Sequence, residues 1–319
     1  MIRRCIRVLT VTVPRVAVGP ARTPFTEQAE KAVRNGGGEL AETDARADAL
    51  VWLNPGDLDG LRAALSAASN ARWVQLPFAG VEQVAAAGLF DPAREWTSAK
   101  GAYAQPVAEH ALALALAGLR LLPRRITARS WGTQGGTSLY DQPVTILGGG
   151  GITARLLELL APLRVTATVV RRHPDPLPGA ARTVGQDGLH QALAGALVVF
   201  VALALTPDTR GIIGASELAA MRPDAWLVNV ARGGHVDTAA LVAALTAGGI
   251  AGAALDVTDP EPLPDGHPLW QLDNCIITPH TADTTEMIVP LLARRVEENV
   301  ARFAAGEPLV GLVSPSLGY

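Results

Sequence analysis

Val144-Thr-Ile-Leu-Gly148-Gly149-Gly150-Gly151-Ile152-Thr153 reads as an apolar, β-type run that halts in four glycines and restarts as the helical Ala154-Arg-Leu-Leu-Glu-Leu-Leu. A strand that enters a glycine-rich turn and leaves as a helix has the shape of a dinucleotide site. Gly148, Gly150 and the backbone N–H groups of Gly151 and Ile152 fall where the helix begins, and the partial positive charge there favours a pyrophosphate. The plain alternative is an ordinary tight turn between strand and helix. The third position of the fingerprint, normally Gly or Ala, is Thr153. Moving the frame by one residue, to Gly149, Gly151 and Ala154, breaks the alternation of the preceding strand. The ungapped frame therefore stands, with a slightly displaced helix expected.

The next strand ends in Val169-Val-Arg171-Arg172-His173-Pro-Asp175. An acid at this strand end would bind the ribose 2′-hydroxyl of NAD. None is present, and Asp175 lies beyond Pro174, too late to substitute. Two guanidinium groups suit a 2′-phosphate through charge-assisted bonds of roughly 1.5–3 kcal/mol each. NADP is therefore the expected cofactor, with NAD as the alternative. If the arginines bind nothing, they form a solvated loop end.

Outward from this stretch, short β-type runs alternate with Ala-rich helical segments. Upstream, strands are expected at Arg15–Gly19, Ala49–Leu53 and Trp73–Leu76, with helices at Thr26–Arg34 and Gly60–Ala68. A long helix runs from Val107 to Leu122 between Pro106 and Pro123. Beyond it come strands at Val144–Leu147, Val165–Val170, Ala196–Leu205, Trp226–Val230, Ala251–Asp256 and Cys275–Thr278. Helices are expected at Ile152–Leu160, Thr238–Ala247 and Glu286–Ala304. This alternation specifies an α/β protein with parallel sheets. The expected organisation is two Rossmann-like domains, the cofactor domain inserted into a discontinuous substrate domain. The expected bounds are 1–107 for the first substrate segment, 108–286 for the dinucleotide domain and 287–319 for the return segment.

Composition agrees with that size: 319 residues exceed what one core usually serves. The net charge of −3 comes from interspersed acids and bases, so no nucleic-acid footprint is visible. Cys5 and Cys275 stand far apart without metal-ligand spacing, so no metal site is expected and a reducing cytoplasm fits. No apolar run reaches the ~20 residues of a membrane span. The start, Met1 to Pro14, superficially resembles a signal peptide, but its β-branched run stops at Pro14 and Arg15 without a cleavage site; it is read as an extra strand or a loose tail.

Three ionisable residues follow successive apolar runs. Arg232 lies in Asn229-Val-Ala-Arg-Gly-Gly, Glu261 in Leu255-Asp-Val-Thr-Asp-Pro-Glu-Pro, and His280 in Thr278-Pro-His-Thr-Ala-Asp. Singly these are a surface arginine, a loop acid and a structural histidine. Together, on strand-end loops of one sheet, they are the parts needed to hold a carboxylated carbonyl compound and protonate its oxygen. A carboxylate beside an imidazole also favours the protonated ring.

With these motifs in place, the chain after Pro14 resembles the D-isomer-specific 2-hydroxyacid dehydrogenase family. The resemblance rests on the turn at Gly148–Thr153, Leu205-Thr-Pro-Asp-Thr-Arg-Gly-Ile-Ile-Gly, Leu227-Val-Asn-Val-Ala-Arg-Gly-Gly, Asp256-Val-Thr-Asp-Pro-Glu-Pro-Leu and Pro279-His. It implies an enzyme in which Arg232 binds substrate carboxylate and carbonyl, His280 is the acid/base and Glu261 supports it. It implies that Asp256 contacts the nicotinamide carboxamide, and that Thr206, Val230 and Ala231 line the cofactor. It also implies that Ala79 and Gly80, in Pro77-Phe-Ala-Gly-Val, offer amides to the carboxylate, and that the long helix from Glu109 builds a homodimer. Thr153 and Asp283, where a small residue is usual, depart from the family pattern.

The implied reaction is reduction of a small 2-oxo acid, of the glyoxylate or hydroxypyruvate type, to the D-2-hydroxy acid. Val51-Trp-Leu-Asn-Pro-Gly carries no arginine of the kind expected in a phosphoglycerate dehydrogenase. Trp52, Leu53 and Phe78 either line a partly apolar pocket or belong to the core. The alternatives are phosphoglycerate, formate or phosphite oxidation on the same scaffold, or a nucleotide-sensing binding protein. A sensor would not need Arg232, Glu261 and His280 together.

Overall fold

The computed structural model describes residues 13–314. The expected N-terminal strand or tail, and Cys5, lie outside the described residues apart from Val13 and Pro14. In chain order the elements are β1 (Arg15–Gly19), α1 (Thr26–Asn35), β2 (Glu39–Ala41), β3 (Ala49–Trp52), α2 (Leu58–Ala67), β4 (Trp73–Gln75), α3 (Glu82–Ala86) and β5 (Glu95–Thr97). Next come α4 (Ala104–Leu119), α5 (Leu122–Ile126), β6 (Pro143–Leu147), α6 (Gly151–Leu160), β7 (Thr166–Val170), β8 (Arg182–Val184), α7 (Leu189–Gly195) and β9 (Val198–Val201). The series closes with α8 (Ala215–Ala220), β10 (Trp226–Asn229), α9 (Thr238–Thr246), β11 (Gly252–Leu255), β12 (Cys275–Ile277) and α10 (Thr285–Ala305).

The chain divides into two compact units, one comprising residues up to 103 and from 285, the other residues 104–284. These bounds lie a few residues before 107/108 and 286/287. The reason is visible in the helices. α4 starts at Ala104, not Val107, because Pro106 falls in the first turn, where its missing N–H has no intrahelical partner to lose.

The first unit is a five-stranded parallel sheet in the order β2-β1-β3-β4-β5. Alternate strand residues bury on opposite faces. Val16, Val51 and Trp73 pack with α1 and α10; Ala17, Leu50, Trp52 and Val74 pack with α2. Trp52 and Leu53 are thus core residues of this unit, and Phe78 lies edge-on between Phe25 and Tyr103. The α2 helix begins where the Asp57 carboxylate accepts from the Gly60 amide at 2.8 Å. α10 is held in this unit by polar contacts from its buried face. Arg295 donates to the Ser98 and Lys100 carbonyls at 2.9 and 3.0 Å, and Asn299 donates to Gln75 Oε1 at 2.9 Å.

The second unit is a seven-stranded parallel sheet in the order β12-β11-β10-β9-β6-β7-β8. Val198 and Phe200 turn toward α4 and α6, whereas Val199 and Val201 turn toward the opposite layer with Leu227 and Leu241. Each fully buried side chain of this size contributes about 1.5–3 kcal/mol relative to exposure. The expected strand Ala196–Leu205 is shorter than its apolar run. It ends at Val201 because the chain then crosses the glycine turn, where a Cβ on Gly148 would lie 2.3 Å from the Ala202 carbonyl oxygen. Cys275 is a free thiol on β12, and burial pushes it up to about 12. No helix among the described residues is long and apolar enough to cross a membrane.

Candidate active site

Because every strand of the second unit is parallel, all its strand-end loops emerge at one edge of the sheet. β6 is followed by the glycine turn, β9 by Thr206, β10 by Arg232, β11 by Asp256 and Glu261, and β12 by His280. The strand order reverses direction between β6 and β9, the position where open α/β sheets bind ligands.

At the glycine turn, Gly148 has φ 109°, a conformation that favours glycine, and its amide donates to Val170 O at 2.8 Å. Gly150 caps α6 in extended conformation, with open space where a Cβ would stand. The first amides of the ten-residue α6 have no intrahelical acceptors. Thr153 is fully buried, and its hydroxyl donates to the Gly148 carbonyl at 2.9 Å. Where the family pattern has Gly or Ala, this chain thus ties the helix back to its own turn. The Arg171 side chain lies over Gly149, within 2.8–2.9 Å of where a Cβ would be. Arg172 Nη2 stands 3.9 Å from Asp208 Oδ2, both side chains being exposed. An open N-cap, helix-initial amides and a guanidinium beside the turn together fit a dinucleotide phosphate group. Thr206 is engaged with Thr209, its amide donating to the Thr209 hydroxyl at 2.8 Å. Val230 and Ala231 are buried at the end of β10.

Arg232 is half-buried, and its loop is fixed from below. Its carbonyl accepts from Asn229 Nδ2 at 2.9 Å and faces the Nδ1 of buried His235 at 3.0 Å. Asn229 Oδ1 accepts from the Ala231 amide at 3.1 Å. Burial holds His235 below the usual imidazole range, so at neutral pH the ring is neutral and donates through Nδ1. Gly233 is required here because a Cβ would fall 1.9 Å from the Thr258 carbonyl group. That backbone contact joins the loop carrying Arg232 to the loop carrying Glu261.

His280 has φ 52°, and its amide donates to the Asp256 and Thr278 carbonyls, each at 2.9 Å. Its Nδ1 lies 2.7 Å from Glu261 Oε1. A carboxylate there keeps the proton on Nδ1 and leaves Nε2 to exchange one. Both side chains are over 40% exposed, so the pair is open to ligand and solvent.

The Asp256 carboxylate lies beneath the His280 turn. It is buried, and both oxygens are occupied by protein groups. Oδ1 accepts from the Thr278 hydroxyl at 2.5 Å and the Thr281 amide at 2.9 Å, with His110 Nε2 at 3.2 Å; Oδ2 accepts from the Ala282 amide at 3.1 Å. This partner set shapes the His280 turn from beneath. Burial pushes its carboxyl up, but His110, Thr278 and the two amides together overcome that and hold it at about 2. His110 also contacts the Thr278 hydroxyl at 3.1 Å. Sequence reasoning passed over His110, Asn229 and His235. A histidine on an apolar helix, 168 positions from its partner, carries no local signal.

Asp283 is half-buried three residues after His280. Burial raises its carboxyl above the usual range, the positive fields of His280 and Arg232 oppose that, and Asp256 adds to it. In the first unit, Ala79 and Gly80 follow β4 in a loop whose Pro77 carbonyl accepts from the Tyr103 hydroxyl and whose Phe78 carbonyl accepts from the Ala99 amide at 3.1 Å. Among the described residues no cluster of His, Cys, Asp and Glu could hold a metal ion.

The family described as D-isomer specific 2-hydroxyacid dehydrogenase, NAD binding domain, matches residues 110–282. Glyoxylate/hydroxypyruvate reductase A of Photorhabdus laumondii is 35% identical over 179 residues, 56% of each chain. The match therefore spans little more than half of that relative. D-3-phosphoglycerate dehydrogenase of Mycobacterium bovis is 36% identical over 207 residues, 63% of this chain and 39% of its own. Among solved structures, a D-isomer specific 2-hydroxyacid dehydrogenase from Xanthobacter autotrophicus in complex with NADPH and MES superposes with TM-score 0.83 at 30% identity, covering 97% of this chain and all of the other. The chain belongs to the D-isomer specific 2-hydroxyacid dehydrogenase family.

Proposed function

We propose that this protein reduces a small 2-oxo acid of the glyoxylate or hydroxypyruvate type to its D-2-hydroxy acid, with NADPH preferred over NADH. The observation that carries the reading is the 2.7 Å pairing of His280 with Glu261, on a loop joined by close backbone contact to that of Arg232. Glu261 holds the imidazole by Nδ1, so that Nε2 presents a proton to the substrate oxygen as negative charge develops there. Arg232 binds the carboxylate and polarises the carbonyl. The α6 amides, Gly150 and Arg171 hold the dinucleotide phosphates, and Arg172 joins Arg171 at the 2′-phosphate. The bound nicotinamide supplies the hydride.

Support for NADPH comes from the cations at the end of β7, and from the related structure crystallised with NADPH. The relatives that are phosphoglycerate dehydrogenases offer a second reading, but Val51-Trp-Leu-Asn-Pro supplies no cation for a substrate phosphate. We also infer a homodimer. Trp131 is 96% exposed and Ile126 75%, two large apolar side chains that a second copy would cover. Light scattering should give twice the chain mass, and a monomer at micromolar concentration would contradict it.

The test of activity is an initial-rate screen of 2-oxo acids against NADPH and NADH. Oxidation of NADPH with glyoxylate or hydroxypyruvate is expected. Absence of turnover with every 2-oxo acid and both cofactors would overturn the reading.

A further inference from the structure

From Ala111 to Leu119 the α4 helix carries no polar side chain, and its buried Val107, Ala108, Ala111, Leu114 and Ala115 pack it into the core of the second unit. His110 breaks that run at the end of the second turn. An apolar residue would serve the helix as well, so the imidazole calls for another reason. Its Nε2 lies 3.2 Å from Asp256 Oδ1 and 3.1 Å from Thr278 Oγ1. The Thr278 hydroxyl itself donates to Asp256 Oδ1 at 2.5 Å, so its oxygen can only accept from the ring. His110 therefore carries its proton on Nε2 and donates it to this pair of oxygens.

The network lies directly under the turn that carries His280. That residue has φ 52°, a left-handed conformation that a non-glycine residue holds only where its surroundings impose it. Asp256 imposes it. Its carbonyl accepts from the His280 amide at 2.9 Å, and its carboxylate accepts from the Thr278 hydroxyl and from the amides of Thr281 and Ala282, on both sides of His280. These three partners of the carboxylate belong to the turn itself. His110 ties the same carboxylate to a packed helix outside the turn. We propose that His110 is a positioning residue: by holding Asp256 and Thr278 it keeps the His280 ring aligned with Glu261 and with the substrate oxygen. The inference deepens the 2-oxo acid reading of the site, on which its kinetic consequences rest.

His110→Leu removes the donor at similar volume, and His110→Gln keeps an N–H group near the place of Nε2. With hydroxypyruvate and NADPH, His110→Leu should cut kcat about tenfold, less than the roughly 10²-fold that a misplacement of about 1 Å can cost. The KM for NADPH should stay near wild type, and His110→Gln should recover most of the loss. In an Asp256→Asn background the change to Leu should add little, because both substitutions disable one network. The solvent isotope effect on kcat should rise in His110→Leu, since a displaced donor slows proton transfer, whereas a smaller folded fraction would leave it unchanged. Full kcat in His110→Leu, additive costs with Asp256→Asn, an unchanged isotope effect or a loss confined to the KM for NADPH would each overturn the role of His110. A second readout needs no substrate. The ring nitrogen resonances of His280, assigned by their loss in His280→Ala, should move in His110→Leu and return in His110→Gln. Resonances that stay in place would overturn the positioning role even if turnover falls. A wild type that reduces no 2-oxo acid overturns the function alone, and the resonances then decide whether His110 positions His280.

Discussion

His280 Nδ1 stands 2.7 Å from Glu261 Oε1, across two strand-end loops of the same sheet. The carboxylate decides which nitrogen of the ring carries the fixed proton, and so which one is left for chemistry. Glu261→Gln preserves the size of the side chain but can bind either ring tautomer through its amide. Turnover of a 2-oxo acid should fall about 10-fold or more, less than the roughly 10²–10⁴-fold of losing the acid itself, while the KM for cofactor stays near wild type. Steady-state kinetics with both substrates varied checks this, and an unchanged kcat would show that the pairing is incidental.

Asp256 makes the fold of the site sensitive to acid. Its carboxyl is held at about 2, below the ordinary 3.8, so the unfolded chain binds this proton more readily than the folded one. The stability it contributes is fully present above 3.8 and is lost as pH falls through about 2. For a buried group this amounts to about 2 kcal/mol. Asp256→Asn should lower the urea midpoint at pH 7, and the gap to wild type should narrow below pH 4. A gap that stays constant with pH would contradict the assignment.

Thr153 replaces the usual small residue of the glycine turn by a hydrogen bond to the Gly148 carbonyl. Thr153→Val removes that donor at nearly constant volume from a part-buried acceptor. The cost should be about 1–2 kcal/mol, a fall in Tm of roughly 2–4 °C or slightly more for a unit of this size. Calorimetry of the two proteins measures it. An equal Tm would mean that water or a repacked helix replaces the bond.

The proposed preference for NADPH rests on Arg171 and Arg172. Arg171 lies over Gly149, and Arg172 faces Asp208 at 3.9 Å in an exposed pair that a phosphate dianion can displace. Changing both to Ala should raise the KM for NADPH about 10-fold or more, since two charge-assisted bonds are lost, while sparing NADH. If wild type already uses NADH better, the arginines are solvated and the preference proposed here is wrong.

The sequence made the layered α/β fold and the strand-end residues readable because both are local patterns: an apolar run, a turn, an ionisable residue at the edge. The glycine turn was readable because it follows an apolar strand, and α6 starts at Gly151, one residue before the expected Ile152. What a single window cannot show is a partner that arrives from far along the chain. His110 reaches Asp256 from α4. The Arg232 carbonyl gathers Asn229 and His235 from only three positions away, but those contacts depend on how the loop closes. The burial of Asp256 and the four protein groups around its carboxylate depend on tertiary structure, so no local pattern announces them. Trp52 and Leu53 were ambiguous for a similar reason: aromatic and apolar residues after a strand serve pocket and core equally well until packing decides. The run Ala196–Leu205 looked like one strand, and only the crossing over Gly148 ends it at Val201.

The most direct test of the central claim is the turnover of His280→Ala with glyoxylate or hydroxypyruvate at saturating NADPH. Removing the group that presents the proton should cut kcat by about 10²–10⁴-fold, with NADPH affinity, read by fluorescence, within a factor of a few of wild type. A variant that keeps near wild-type kcat would show that the proton comes from elsewhere, and the pairing of His280 with Glu261 would have to be given another role.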